Sequence, residues 1–160
     1  MKKLVFLLLT IGVVMFFTSS RTTISSDSRV GNKAPDLSIA NETSVVELDN
    51  YKGKFVVMNM WTSADAITRI ENIELNKLAR DNDKLVHLAV NFDRSKALFM
   101  EVLALDSLEV SSQYFCEHQD RPSFQKRGGS IDHPCTVLIN GDGVIVAVNP
   151  TIDEINKAVK

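Results

Sequence analysis

The two cysteines of the chain each stand one residue from a histidine, as Cys116-x-His118 and His133-x-Cys135. Thiolate sulfur and imidazole nitrogen suit zinc or a copper ion, so these four residues form one candidate metal set. Their spacing matches no recognised zinc pattern. His118 reads equally as a surface loop residue, and His133 as a residue flanking a tight turn. The same cysteines could instead close a loop of about 20 residues as a disulfide, worth ~3 kcal/mol in the chain-entropy model. They could also act as a redox pair or stay as two separate thiols, and of these a structural disulfide is expected.

The second place where chemistry could sit is Val56 to Leu75, VVMNMWTSADAITRIENIEL. An apolar, strand-like run ends at Trp61 and passes through small and polar residues into an amphipathic helix. The N-terminus of such a helix presents unpaired N–H groups and the positive end of the dipole, a setting for an anion or a low-pKa thiolate. Asp65 stands there. It reads as an N-cap whose carboxylate accepts those N–H groups, with a binding or acid–base role as the alternative. Thr68, one turn inside, reads as a filler. Trp61 reads as a large aromatic packed at the end of a core strand, and Asp36, Glu71 and Glu74, with no paired spacing, as a solvated face.

The elements that must position these residues follow from the pattern. Phe55 to Met60 and Leu85 to Val90 are buried strands, apolar on both faces as parallel strands are. Helices are expected over Ala66 to Arg80, with Ile67, Ile70, Leu75, Leu78 and Ala79 near one face, and over Ser95 to Leu105, capped by Asp93 or Ser95. Ser44 to Leu48 is a short strand, Leu108 to Phe115 a weaker extended piece, and Pro122 to Arg127 a short helix closed by Gly128-Gly129. Asn140-Gly141-Asp142-Gly143 joins strands Cys135 to Ile139 and Val144 to Val148 in a hairpin. Thr151 caps a last helix to Val159.

With 160 residues, 44% of them hydrophobic and 24% charged, the chain has the make-up of one ordinary globular domain behind a leader. Met1-Lys2-Lys3, the apolar run Leu4 to Phe17 and Thr18-Ser19-Ser20 read as a signal peptide or N-terminal anchor over residues 1–20. Residues 21–30 are a polar linker and 31–160 the domain. Removing the leader deletes Lys2 and Lys3 and no acid, so 18 basic residues become 16 against 20 acidic ones, a net charge of −4. That argues against a nucleic-acid surface. Export would place the cysteines in an oxidising compartment, the periplasm or cell envelope. Membrane contact is expected only through an uncleaved leader. No Gly-rich phosphate loop or Ser-His-Asp arrangement is present, and no cofactor is expected.

The Val56 to Leu75 stretch resembles the active-site segment of the thioredoxin superfamily, specifically the envelope thiol-disulfide oxidoreductases of the TlpA and ResA type, whose strand V-V-L-N-F-W-A-S-W leads into C-P-P-C-R. Trp61, Ser63, Arg69, Glu71, Glu74 and Leu75 match that pattern, while the two cysteine positions fall on Asp65 and Thr68. Gly31-Asn32-Lys33-Ala34-Pro35-Asp36-Leu37 is similar to the family's opening G-x-x-A-P-D-F. His133-Pro134-Cys135-Thr136-Val137-Leu138-Ile139-Asn140 is similar to its x-P-T-T-F-L-I-D strand. The resemblance implies an α/β thioredoxin-like fold, a central mixed β-sheet flanked by helices with an N-terminal β-hairpin extension. It implies a cis-proline at Pro134 and a binding loop of Trp61, His133 and Pro134 facing the vacated Asp65 and Thr68. Without the cysteine pair it implies a member lacking ordinary dithiol exchange, which could still hold an extended envelope polypeptide along the proline loop. Exchange through Cys135 and Cys116 is the enzymatic alternative. The peroxiredoxin signature Pro-x-x-x-Thr-x-x-Cys is absent.

Overall fold

In a computed structural model the described residues are 29–34, 38–40, 45–116 and 135–160. Strands β1 (Ser38–Ala40) and β2 (Val45–Glu47) pair antiparallel as a small separate sheet. They are followed by β3 (Phe55–Trp61), α1 (Ala66–Arg80), β4 (Leu85–Asn91), α2 (Lys96–Leu105) and β5 (Gln113–Phe115). The chain closes with β6 (Thr136–Ile139), β7 (Ile145–Val148) and α3 (Ile152–Ala158). The main sheet has the order β5-β4-β3-β6-β7, with β3, β4 and β5 parallel and β6 and β7 antiparallel.

Because side chains alternate along a strand, β3 sorts the interior into two layers. Its even positions Val56, Met58 and Met60 join Leu88, Val90, Tyr114, Val137 and Ile139 on one face. Its odd positions look at the helices. Val57 packs with Leu75 of α1 and with Ile155 beside Val159 at the end of α3, and Trp61 packs with Phe99, Val102 and Leu103 of α2. The three helices of the described residues thus cover the odd face, which also carries the polar residues at issue below.

Local chemistry fixes the ends of these elements. Ser95 caps α2 through Leu98 N, and Thr151 and Glu154 form a capping box on α3. In the β6–β7 turn, Asn140 Oδ1 accepts from the N–H groups of Asp142 and Val144. Gly141 is obligatory for a different reason than turn conformation. Its carbonyl accepts from Gly53 N at 2.9 Å, and a Cβ on it would sit 2.9 Å from the Gly53 backbone. The expected extended piece over Leu108 to Phe115 is shorter than the pattern suggests, because Val110–Ser112 winds into one 3-10 turn before β5.

The short helix expected at Pro122 to Arg127 lies outside the described residues, as do His118, His133, Pro134 and residues 1–28. The expected grouping of Ile67 and Ile70 with the core is not what forms: they are 79% and 57% exposed. Thr68, Glu71 and Asn72 turn inward in their place, held by polar partners on the sheet and at the start of the helix.

Candidate functional site

The turn that leads β3 into α1 is braced from beneath. Ser63 donates its backbone N–H to Asp93 Oδ1 at 2.9 Å and its hydroxyl to Asp93 Oδ2. Asp93 is itself fixed by Asn91, whose Nδ2 donates to Oδ2 and whose Oδ1 accepts from Asp93 N at 2.9 Å. A carboxylate taking three donors from two segments locks the loop after β3 to the loop after β4. Asp93 therefore clamps this turn, and Ser95 alone caps α2.

Asp65 is the N-cap of α1. Its Oδ1 accepts from Ile67 N at 2.9 Å and Thr68 N at 3.2 Å, and its backbone is extended, as a cap requires. The carboxylate thus occupies the N–H groups a thiolate or anion would otherwise use. Thr68 is buried and donates its hydroxyl to the Asp65 carbonyl. One turn on, the Arg69 guanidinium grips the mostly buried Asp106 carboxylate in a two-pronged contact, tying α1 to the C-terminus of α2.

Glu71 corrects the reading of a solvated face. It is half-buried and accepts a 2.8 Å hydrogen bond from Thr136 Oγ1. Burial raises its pKa above the ordinary carboxylate value, opposed by the Thr136 hydrogen bond. Thr136 N in turn donates to Asn149 Oδ1, and Asn149 N to the Thr136 carbonyl, which holds the residue after Cys135 in place. Trp61 is fully buried, tilted against Phe99 at 6.1 Å between ring centroids, so it is a core residue here. Asp93, Thr136, Asn149 and Asp106 were invisible to spacing arguments, since each acts through a partner more than 10 residues away. The inward turn of Glu71 was not legible either, because its partner Thr136 lies on a distant strand.

Cys116 and Cys135 are both buried and no disulfide joins them. The sheet order explains the correction. Cys116 continues β5, donating its N–H to the Asn91 carbonyl, and Cys135 precedes β6, accepting from Met60 N. Strands β4 and β3 run between them, and three inter-strand steps make roughly 14 Å. A disulfide needs Cα atoms within about 7 Å. The same separation keeps the two thiols from resolving one another in dithiol exchange. It also keeps them from sharing one metal ion, whose bonds to sulfur are about 2.3 Å. Among the described residues no group of three His, Cys, Asp or Glu side chains is placed to hold a metal. The Cys135 sulfur instead lies 4.0 Å from Met60 Sδ and 3.8 Å from Arg29 Nη1.

This architecture is a thioredoxin-like fold. A thioredoxin-like protein from Parabacteroides distasonis superposes with a TM-score of 0.67 at 24% identity, covering 81% of this chain and 93% of its own. The thioredoxin domain of a thiol-disulfide oxidoreductase from Bacteroides vulgatus gives 0.67 at 22% identity, over 82% and 98%. A secreted disulfide oxidoreductase of Mycobacterium tuberculosis gives 0.60 at 16% identity, over 77% and 92%. No protein-family model and no curated protein matches the sequence.

Proposed function

We propose that this chain is an exported thioredoxin-fold domain that binds extended polypeptide in the cell envelope and does not carry out dithiol exchange. The observation that carries this reading is the state of the α1 N-terminus. Where disulfide exchange needs a nucleophilic thiolate and a second sulfur one turn deeper, Asp65 caps the helix and Thr68 is buried against it. The strand ladder reaches Cys135 intact, with Met60 N donating to the Cys135 carbonyl, which supports binding at the sequence that precedes it. Exposed Ile67 and Ile70 beside that turn favour an apolar stretch of the bound chain. The leader-like residues 1–20 and the secreted mycobacterial structure support export. Among the described residues no helix is long and apolar enough to cross a membrane.

Two measurements on the exported protein test this: reduction of a peptide disulfide, and fluorescence anisotropy of a labelled unfolded polypeptide. The expected result is saturable binding with no reduction above that of the added reductant alone. Reduction that disappears in Cys135→Ser and persists in Asp65→Ala would overturn the reading in favour of a thiol enzyme.

A further inference from the structure

A row of side chains crosses the sheet beneath the first turns of α1. Gln113, Ala89, Asn59 and Thr136 are successive cross-strand partners from β5 to β6, so all four project from one face. Helix α1 meets the two ends of this row. Asn72 exchanges both amide hydrogen bonds with Gln113, at 3.1 and 3.0 Å, and Glu71 takes the Thr136 hydroxyl. At the centre, Asn59 is fully buried, and neither its Oδ1 nor its Nδ2 has a hydrogen-bond partner. Beside it stands Ala89, also fully buried, whose methyl group leaves more room than any other side chain in the row.

A buried amide with both ends unmet is costly, and native interiors resolve such groups with internal water where the surroundings are polar and roomy. Asn59 has polar neighbours on one side, Thr136 and the Glu71 carboxylate it holds, and on the other the smallest side chain of the row, Ala89, packed with Trp61 and Phe99. We propose that Asn59, Ala89 and Glu71 form an internal water site, the water accepting from Asn59 Nδ2 and donating to the Glu71 carboxylate. The site lies beneath the second turn of α1, where Glu71 and Asn72 meet the sheet. It solvates Glu71 from within, independently of whatever covers the outer surface of the domain.

Water-to-amide NMR cross-peaks in the wild-type protein, together with an Asn59→Leu variant, test the site. Expected are a water contact at the Asn59 side-chain amide and a lower unfolding midpoint in Asn59→Leu. The Glu71 titration should also move up by about one pH unit in that variant, as loss of one hydrogen bond to the charged form requires. A dry Asn59 amide in the wild-type spectrum overturns the site. So does an Asn59→Leu variant as stable as wild type with an unmoved Glu71 titration, because apolar replacement of a merely orphaned amide is neutral or stabilising. If Asn59→Leu does not fold, the wild-type spectrum decides alone.

Discussion

The two halves of α1 are built on opposite plans. From Asn76 to Arg80 the helix is conventionally amphipathic: Leu78 and Ala79 pack inward with Leu75 and Val57, while Lys77 and Arg80 lie in the last turn, where cations suit the dipole. From Ala66 to Ile73 the sense is inverted, with Thr68, Glu71 and Asn72 turned inward and Ile67, Ile70 and Ile73 turned toward solvent. The second half has the character of a stability element. The first has the character of a site, where polar groups are kept in the interior and apolar ones offered outside, at a cost that packing elsewhere must offset.

Titration separates the halves most sharply. His87, the cross-strand partner of Val57 beneath the second half, is buried with neither ring nitrogen hydrogen-bonded, and burial lowers its pKa to about 3. A depressed folded pKa gives stability that is present above the unfolded value of about 6.5 and lost as pH falls toward the folded one. Wild type should therefore lose about 1.4 kcal/mol per pH unit relative to His87→Leu between roughly pH 6.5 and 3, read from denaturant midpoints. Glu71 in the first half has the opposite sign. Its raised pKa gives stability that is full at low pH and lost as pH rises through the folded value, so Glu71→Gln should flatten that limb. Parallel slopes in wild type and His87→Leu would show that the imidazole is not held neutral.

Leu75→Ala, in the fully buried seam against which the second half packs, should cost ~3 kcal/mol in urea unfolding. A cost below about 1 kcal/mol would mean the two halves do not differ in packing. Asn72→Ala, in the first half, should cost ~2 kcal/mol by stranding the buried Gln113 amide. Asn72→Leu with Gln113→Leu should recover most of it, since both partners leave together; a double variant worse than Asn72→Ala would mean that the pair is needed for shape. Smallest in stability is Ile67→Ser, expected within about 0.5 kcal/mol. Its effect should appear in binding, as a several-fold weaker anisotropy titration with the unfolded polypeptide. Unchanged affinity would remove Ile67 from the binding surface.

The helix bounds Ala66 to Arg80, the central strands, the β6–β7 turn and the Asp65 and Thr151 caps were legible because each is set by neighbours in sequence. The inversion in α1 was not. Periodicity places Ile67 and Ile70 with Leu75, and only the partners Thr136 and Gln113, supplied by distant strands, show that the helix turns its polar residues in. The cysteines failed for the same reason. Sequence separation permits a loop between Cys116 and Cys135, but strand order, decided by pairings across the whole chain, puts two strands in the way.

That strand order also makes redox state a report on folding. In the native arrangement Cys116 and Cys135 stand too far apart to bond to each other, so oxidation of the folded chain closes no disulfide between them. A monomer cross-linked between Cys116 and Cys135 can arise only from a chain that has not yet laid β3 and β4 between β5 and β6, which makes the fraction of that species a count of molecules that missed the native topology.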